Sequence, residues 1–228
     1  MDWMNHFQLF LFDFDGVLVD TEPLHFAAYK GMCERRGVPW DWDFKQFCIQ
    51  SHGKSQGIKE GLYRERPELY RQEPNWDVLT REKRAIYLEL LHSSRLELMP
   101  GVGDLLNRLG PRRAQCCVVT NSIREHVEII KSRLIPLQEI PHWLTREDYS
   151  QPKPAPDGYL KAKMLFSQPG EAVIGFEDTL KGLKSLVQAE VRAVLVCSPQ
   201  SEHVEECVRL GAEHISSFEV LLDNSWSG

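Results

Sequence analysis

The sequence predicts an α/β protein with a doubly wound parallel sheet and a helical unit inserted after the first strand. Short apolar runs at residues 7–12, 116–119, 172–174 and 193–196 have the pattern of strands that are buried on both faces. Helical patterns separate these runs from residue 96 onward, and strands that alternate with helices form parallel sheets. A chain of 228 residues is long enough for such a core together with a smaller second unit.

The segment after the first strand has a different pattern. Apolar residues recur at helical spacing from Phe26 to Cys33, which predicts a helix that stops at Gly37, and no strong strand signal follows. We therefore predict that residues 17–95 form a helical insertion and that residues 1–16 and 96–228 form the α/β core.

The second part of the chain contains three clear helical patterns. Val102 to Leu109 follows a Pro-Gly pair, and Leu180 to Ala189 repeats at helical spacing. Ser122 and Glu125 have the spacing of a capping box, so Ser122 is expected to cap the helix that follows it.

Composition excludes several classes of function. The net charge is −6 and no run of basic residues is longer than a pair, which argues against a nucleic-acid surface. The six cysteines are scattered without a C-x-x-C spacing, which is typical of thiols in a reducing compartment. Asp13 and Asp15 interrupt the N-terminal apolar run, so we expect no signal peptide and no membrane span. We predict a cytoplasmic monomer that binds neither nucleic acid nor membrane.

Polar residues follow three of the predicted strands. Asp13 ends the first, Thr120 and Asn121 follow the second, and the third reaches Glu177 and Asp178. In open α/β sheets, ligands bind at the carboxyl ends of the strands, so these side chains should meet in one crevice. Carboxylate oxygens and a substrate phosphate are ligands that suit Mg²⁺.

Four segments of the sequence resemble, in order and context, the four motifs of the haloacid dehalogenase-like hydrolase superfamily. They are Asp13-Phe14-Asp15-Gly16-Val17, Thr120, Lys153 in "KPAPDGYL", and Glu177-Asp178 in "GFEDT". The resemblance covers nearly the whole chain and implies a Rossmann-like core, with the helical insertion at the place of that family's first type of cap domain. An aspartate at position 15 favours phosphoryl chemistry over dehalogenation, because the dehalogenases of the family lack it.

The resemblance implies a role for each motif residue. Asp13 would be the nucleophile that forms an aspartyl phosphate, and Asp15 the general acid and base. Thr120 would bind phosphoryl oxygens, and Lys153 would balance the negative charge.

The remaining implied roles concern metal and substrate. Mg²⁺ would be held by Asp13, the carbonyl of Asp15, Asp178 and Glu177. Substrate binding would fall to Gly16 and Asn121 in the core and to three insertion residues, namely His25, Lys54 and Lys83, which resemble positions of the β-phosphoglucomutase-like branch.

Alternatives remain open for these residues and for the reaction. His25 fits equally well as a packed helix residue, and Lys54 and Lys83 as solvated charges. Glu177 and Asp178 also fit the acidic first turn of a helix. We predict a Mg²⁺-dependent phosphatase acting on a small phosphorylated metabolite, such as a sugar phosphate. The alternatives are a β-phosphoglucomutase-like phosphotransferase and a catalytically silent binding protein.

Overall fold

The structure is a computed structural model that describes residues 3–53, 57–112 and 114–223. The chain divides into two compact units. The first consists of Met1–Asp20 and Leu96–Gly228, and the second of Thr21–Arg95. Residues 17–20, which the sequence prediction assigned to the insertion, fall in the first unit because Val19 pairs with both Asp15 and Leu98.

The first unit is built on a parallel sheet of six strands among the described residues. The strands are β1 (Leu9–Phe12), β2 (Gln115–Val119), β3 (His142–Leu144), β4 (Val173–Glu177), β5 (Arg192–Val196) and β6 (Glu213–Ile215). Their order across the sheet is β3-β2-β1-β4-β5-β6, and every pair of neighbours is parallel. The predicted α/β class with a doubly wound parallel sheet is confirmed.

Within the ranges described, the α-helices are named here in chain order. They are α1 (Glu22–Arg35), α2 (Phe44–Gly53), α3 (Gly57–Glu65), α4 (Pro67–Gln72), α5 (Trp76–Ser93), α6 (Val102–Leu109), α7 (Arg124–Arg133), α8 (Ile135–Gln138), α9 (Asp157–Phe166), α10 (Leu180–Gln188), α11 (Val204–Arg209) and α12 (Glu219–Leu222).

The four apolar runs of the sequence correspond to β1, β2, β4 and β5. Every residue of β1 and of β4 is buried, as expected for strands that are covered on both faces. At the centre of the sheet, the rings of Phe12 and Phe176 stack with their centroids 5.2 Å apart. Strands β3 and β6 were not predicted, because each has only three residues and includes half-buried polar side chains such as His142 and Glu213.

The second unit consists of α1 to α5. Helix α1 has a proline in its first turn and ends at Arg35, close to the predicted stop at Gly37. Aromatic residues form much of the interior of this unit. The ring of Phe26 makes edge contacts with the rings of Trp40 and Phe47, with centroids 5.6 and 5.5 Å apart. In the parts of the chain that the structure describes, no helix combines the length and the hydropathy that crossing a membrane would require.

Candidate active site

Adjacent strands bring the predicted site residues to one edge of the sheet. Asp13 directly follows β1, Glu177 is the last residue of β4, and Thr120 directly follows β2. Since β1 lies between β2 and β4, the three positions are neighbours at the carboxyl edge. The Asp13 N–H donates to the carbonyl of Phe176 at 2.9 Å, which ties the end of β1 to β4. This is the point where the strand order reverses, and open α/β sheets bind ligands there.

Lys153 connects these strand ends through its ammonium group. Its Nζ donates to Asp13 Oδ1 at 2.6 Å, to Glu177 Oε1 at 2.6 Å and to the carbonyl of Val119 at 2.7 Å. An ammonium has three N–H donors, so these contacts use all of them. Burial by itself would lower the pKa of Lys153, but the carboxylates of Asp13 and Glu177 outweigh it and hold that pKa above its ordinary value. The lysine is therefore a fixed positive charge at the ends of three adjacent strands.

Glu177 is fully buried and is held from two sides. The hydroxyl of Tyr159, on α9, donates to Glu177 Oε1 at 2.5 Å, on the same oxygen that Lys153 contacts. Burial and then the charge of Asp13 raise the pKa of Glu177 to about 7, although Lys153 acts in the opposite direction. The strand position of Glu177 rules out the alternative that it lies in the first turn of a helix, because α10 begins only at Leu180, with Thr179 as its cap.

Three carboxylates form a candidate metal site. Asp13, Glu177 and Asp178 offer oxygen atoms that all lie within 4.8 Å of one another. The oxygen Oε2 of Glu177 is buried and accepts no hydrogen bond from the described residues, which leaves its lone pairs available to a metal ion. This all-oxygen set fits Mg²⁺, which prefers hard oxygen ligands.

Gly16 leaves the space that Asp178 occupies. Its φ of +76° is in the left-handed region, and a Cβ at this position would lie 2.2 Å from Asp178 Oδ2. The carbonyl of Asp178 is contacted by His203 Nε2 at 2.8 Å, from the segment between β5 and α11. Gly16 was predicted to bind substrate, and its visible role is to let this carboxylate approach the loop after β1.

Asp15 and Ser122 form a contact that overturns the capping prediction. Ser122 Oγ donates to Asp15 Oδ2 at 2.5 Å, and α7 begins at Arg124 with Ile123 as its cap residue. The Arg124 N–H donates to both carboxylate oxygens of Glu147 at 3.1 Å. The prediction that Ser122 caps α7 is wrong, because a carboxylate from a later segment satisfies that end of the helix.

Thr120 and Asn121 support neighbouring segments. Thr120 Oγ1 accepts a hydrogen bond from the Ser122 N–H at 2.9 Å. Asn121 Oδ1 accepts from the Lys153 N–H and from the Tyr149 hydroxyl, both at 3.0 Å. Asn121 thus anchors the loop that carries Lys153, whereas the sequence resemblance suggested contact with substrate.

The insertion residues His25 and Lys83 meet within the second unit. Lys83 Nζ lies 2.6 Å from His25 Nδ1. The His25 ring stacks on Tyr87 at 4.2 Å, and the ammonium lies over the Tyr87 and Tyr29 rings at 4.6 and 5.0 Å. Lys83 is buried, so the alternative that it is a solvated surface charge is wrong. Lys54 lies outside the described residues.

Sequence reasoning did not identify Tyr159, Tyr149 or His203 as part of the site. Tyr159 follows Lys153 by six positions in "KPAPDGYL", and no role was predicted for it. No local pattern marks a tyrosine that reaches a strand end by packing of α9, so the contact could be found only in three dimensions.

Comparisons with known proteins agree with this geometry. A family profile described as haloacid dehalogenase-like hydrolase matches residues 10–196. Protein CbbY from Rhodobacter capsulatus is 29% identical over 193 residues, covering 82% of this chain and 84% of that protein. A phosphorylated carbohydrates phosphatase from Thermotoga maritima is 28% identical over 190 residues, covering 81% and 82%. The crystal structure of a HAD hydrolase, family IA, variant 3, from Entamoeba histolytica matches with a TM-score of 0.73 at 26% identity, covering 95% of this chain and 98% of that one.

Proposed function

Because the chain belongs to the haloacid dehalogenase-like hydrolase family, we propose that it is a Mg²⁺-dependent phosphatase of small phosphorylated metabolites, with sugar phosphates as the substrate class. It is a phosphoric monoester hydrolase, and the similar phosphatase of phosphorylated carbohydrates supports the substrate class. We expect it to act in the cytoplasm as a monomer, with the second unit as its cap domain.

The observation that carries this proposal is the position of Lys153 between Asp13 and Glu177 at the switch point of the sheet. The buried ammonium of Lys153 contacts Asp13, a partly exposed carboxylate that can act as the nucleophile. Phosphoryl transfer depends mainly on positioning and electrostatic stabilisation, and this arrangement provides both.

We assign the reaction steps to the chain's own residues. A carboxylate oxygen of Asp13 forms a bond to phosphorus while the bond from phosphorus to the leaving oxygen breaks, and Asp15 gives that oxygen a proton. Asp15 then takes a proton from a water molecule that attacks the aspartyl phosphate, which releases phosphate and restores Asp13. Thr120 would contact the phosphoryl oxygens during both steps.

The metal in this proposal is Mg²⁺, held by the carboxylates of Asp13, Glu177 and Asp178 together with the carbonyl of Asp15. When bound, it would supply positive charge that stabilises the phosphoryl oxygens. The fit rests on the three carboxylates that converge within 4.8 Å.

A screen of purified protein against phosphorylated metabolites, with and without Mg²⁺, tests the proposal. We expect phosphate release that requires Mg²⁺ and that Asp13→Asn abolishes. Asp104→Asn, at an exposed position on α6, is the matched control and should be fully active. Retention of activity by Asp13→Asn would exclude the aspartyl phosphate.

A phosphotransferase resembling β-phosphoglucomutase is the second candidate. The contact between His25 and Lys83 in the insertion favours it, since both positions resemble that branch. Incubation with β-glucose 1-phosphate and a bisphosphate activator decides between the two, because a mutase forms glucose 6-phosphate and a phosphatase forms free phosphate.

The catalytically silent binding protein that the sequence analysis left open is disfavoured, because a similar protein is named a phosphatase, and a binding experiment tests it directly. Beryllium fluoride, a phosphoryl mimic, should raise the Tm in the presence of Mg²⁺ if the site is competent. Failure to do so, together with an inactive screen, would favour the silent protein.

A further inference from the structure

Ser122 makes a contact to Asp15 that none of the four sequence motifs includes. Its hydroxyl donates to Asp15 Oδ2 at 2.5 Å, at the short end of the range for hydrogen bonds between oxygen atoms. Ser122 was predicted to cap α7, but in the structure the carboxylate of Glu147 accepts from the first N–H of that helix.

The backbone of Ser122 is fixed on both sides of its side chain. Its N–H donates to Thr120 Oγ1 at 2.9 Å, and its carbonyl accepts from the Arg146 N–H at 3.0 Å. The serine therefore connects the end of β2 to the segment after β3, and its hydroxyl is presented from a rigid point.

Backbone pairing at Asp15 does not by itself fix the orientation of its carboxyl group. That backbone is held by pairing with Val19, and the Gly16 N–H donates to the Val19 carbonyl at 2.9 Å. The side chain itself is half-buried and can rotate about two bonds. A general acid and base must lie within hydrogen-bond reach of the proton that it transfers, so its orientation matters.

We propose that Ser122 is a positioning residue that holds the carboxyl group of Asp15 in the orientation required for proton transfer. This inference rests on the proposed function, because it takes Asp15 as the acid and base of the reaction. Ser122 acts through Asp15 and contacts no reacting atom.

Threonine and valine at position 122 form a matched pair, because they have nearly the same shape and only threonine keeps the hydroxyl. We expect Ser122→Thr to stay within about three-fold of the wild-type kcat and Ser122→Val to lose about ten-fold or more, with KM little changed. Ser132→Ala is the control elsewhere on α7, since that serine is exposed and donates only to the Ile129 carbonyl. Its activity should equal that of the wild type.

Pre-steady-state kinetics with 4-nitrophenyl phosphate separate positioning from a general structural defect. Nitrophenolate leaves without needing a proton, so formation of the aspartyl phosphate should keep its rate in Ser122→Val. Hydrolysis of that intermediate needs Asp15 as a base and should slow, so a burst of nitrophenolate of about one equivalent should precede a slow steady state.

Two results would overturn the proposal. One is equal activity of the threonine and valine variants. The other is a valine variant in which the formation and hydrolysis steps slow by the same factor, which indicates a distorted site. A failure of the underlying function looks different, since Asp13→Asn would then stay active or the wild-type protein would release no phosphate.

Discussion

Alanine in place of Gly16 should damage the site and the backbone at the same time. Gly16 has a φ of +76°, which is unfavourable for any residue with a Cβ. The added Cβ would lie 2.2 Å from Asp178 Oδ2 and 3.0 Å from the carboxyl carbon. We therefore expect two separable effects, one on stability and one on Asp178.

The structure gives the size of both effects. The left-handed backbone should lower the free energy of unfolding by about 1–2 kcal/mol. Ordinary van der Waals contact begins at 3.4 Å, so Asp178 Oδ2 has to move by about 1.2 Å. A displacement of about 1 Å in a catalytic group can reduce the rate about 100-fold, and we expect a loss of that order in kcat/KM.

Gly37→Ala is the matched control for the backbone effect. Gly37 has a similar φ of +67°, but a Cβ there would meet nothing within 4 Å. Urea denaturation should show similar losses of stability in both variants, whereas phosphate release at saturating and limiting Mg²⁺ should fall only in Gly16→Ala. Full activity in Gly16→Ala would refute the reasoning that Gly16 makes room for the Asp178 carboxylate.

Three further predictions concern buried groups of the first unit. Lys153→Met leaves Glu177 without its cation, so activity should be lost and the free energy of unfolding, measured in urea, should fall by about 3–5 kcal/mol. Unchanged stability would mean that Glu177 is neutral in the native protein. Tyr159→Phe removes only the hydroxyl that donates to Glu177, so the free energy of unfolding in urea should fall by about 1–3 kcal/mol. An unchanged free energy of unfolding would mean that this hydrogen bond is absent in solution. Burial raises the pKa of Cys116 to about 12 and raises that of Cys117 further. Iodoacetamide at pH 8 should therefore leave both thiols unmodified in the folded protein and modify both in urea. Peptide mass spectrometry measures the modification.

The sequence was sufficient to predict the edge of the sheet where the candidate site lies. Asp13 directly follows a strand that is buried along its whole length, and Glu177 ends another, so their strand positions determine which edge they occupy. The short strand β3 was not predicted, because its three residues include half-buried polar side chains and do not form an apolar run.

Contacts between distant segments could not be read from the sequence. Ser122 and Asp15 are 107 positions apart, and their hydrogen bond depends on the register of β1 beside β2 and on one side-chain rotamer. The residues around Ser122 have the local pattern of a helix cap, but Glu147, 23 positions after Arg124, accepts the hydrogen bond at that helix end instead. Local propensity thus gave the wrong partner for Ser122 where tertiary structure supplied another.

The carboxylates at the strand ends favour the binding of a cation. Asp13, Glu177 and Asp178 lie close to one another, and Lys153 contacts the first two with an ammonium whose three donors are already used within the protein. Burial and then the charge of Asp13 raise the pKa of Glu177 to about 7, although Lys153 acts in the opposite direction, so a single ammonium does not fully offset the burial of these carboxylates. A phosphate would add further negative charge, and Lys153 can bind it only by giving up one of its present contacts. A divalent cation among the same oxygens would offset this negative charge without moving Lys153, which is why we expect Mg²⁺ and substrate to depend on each other for binding.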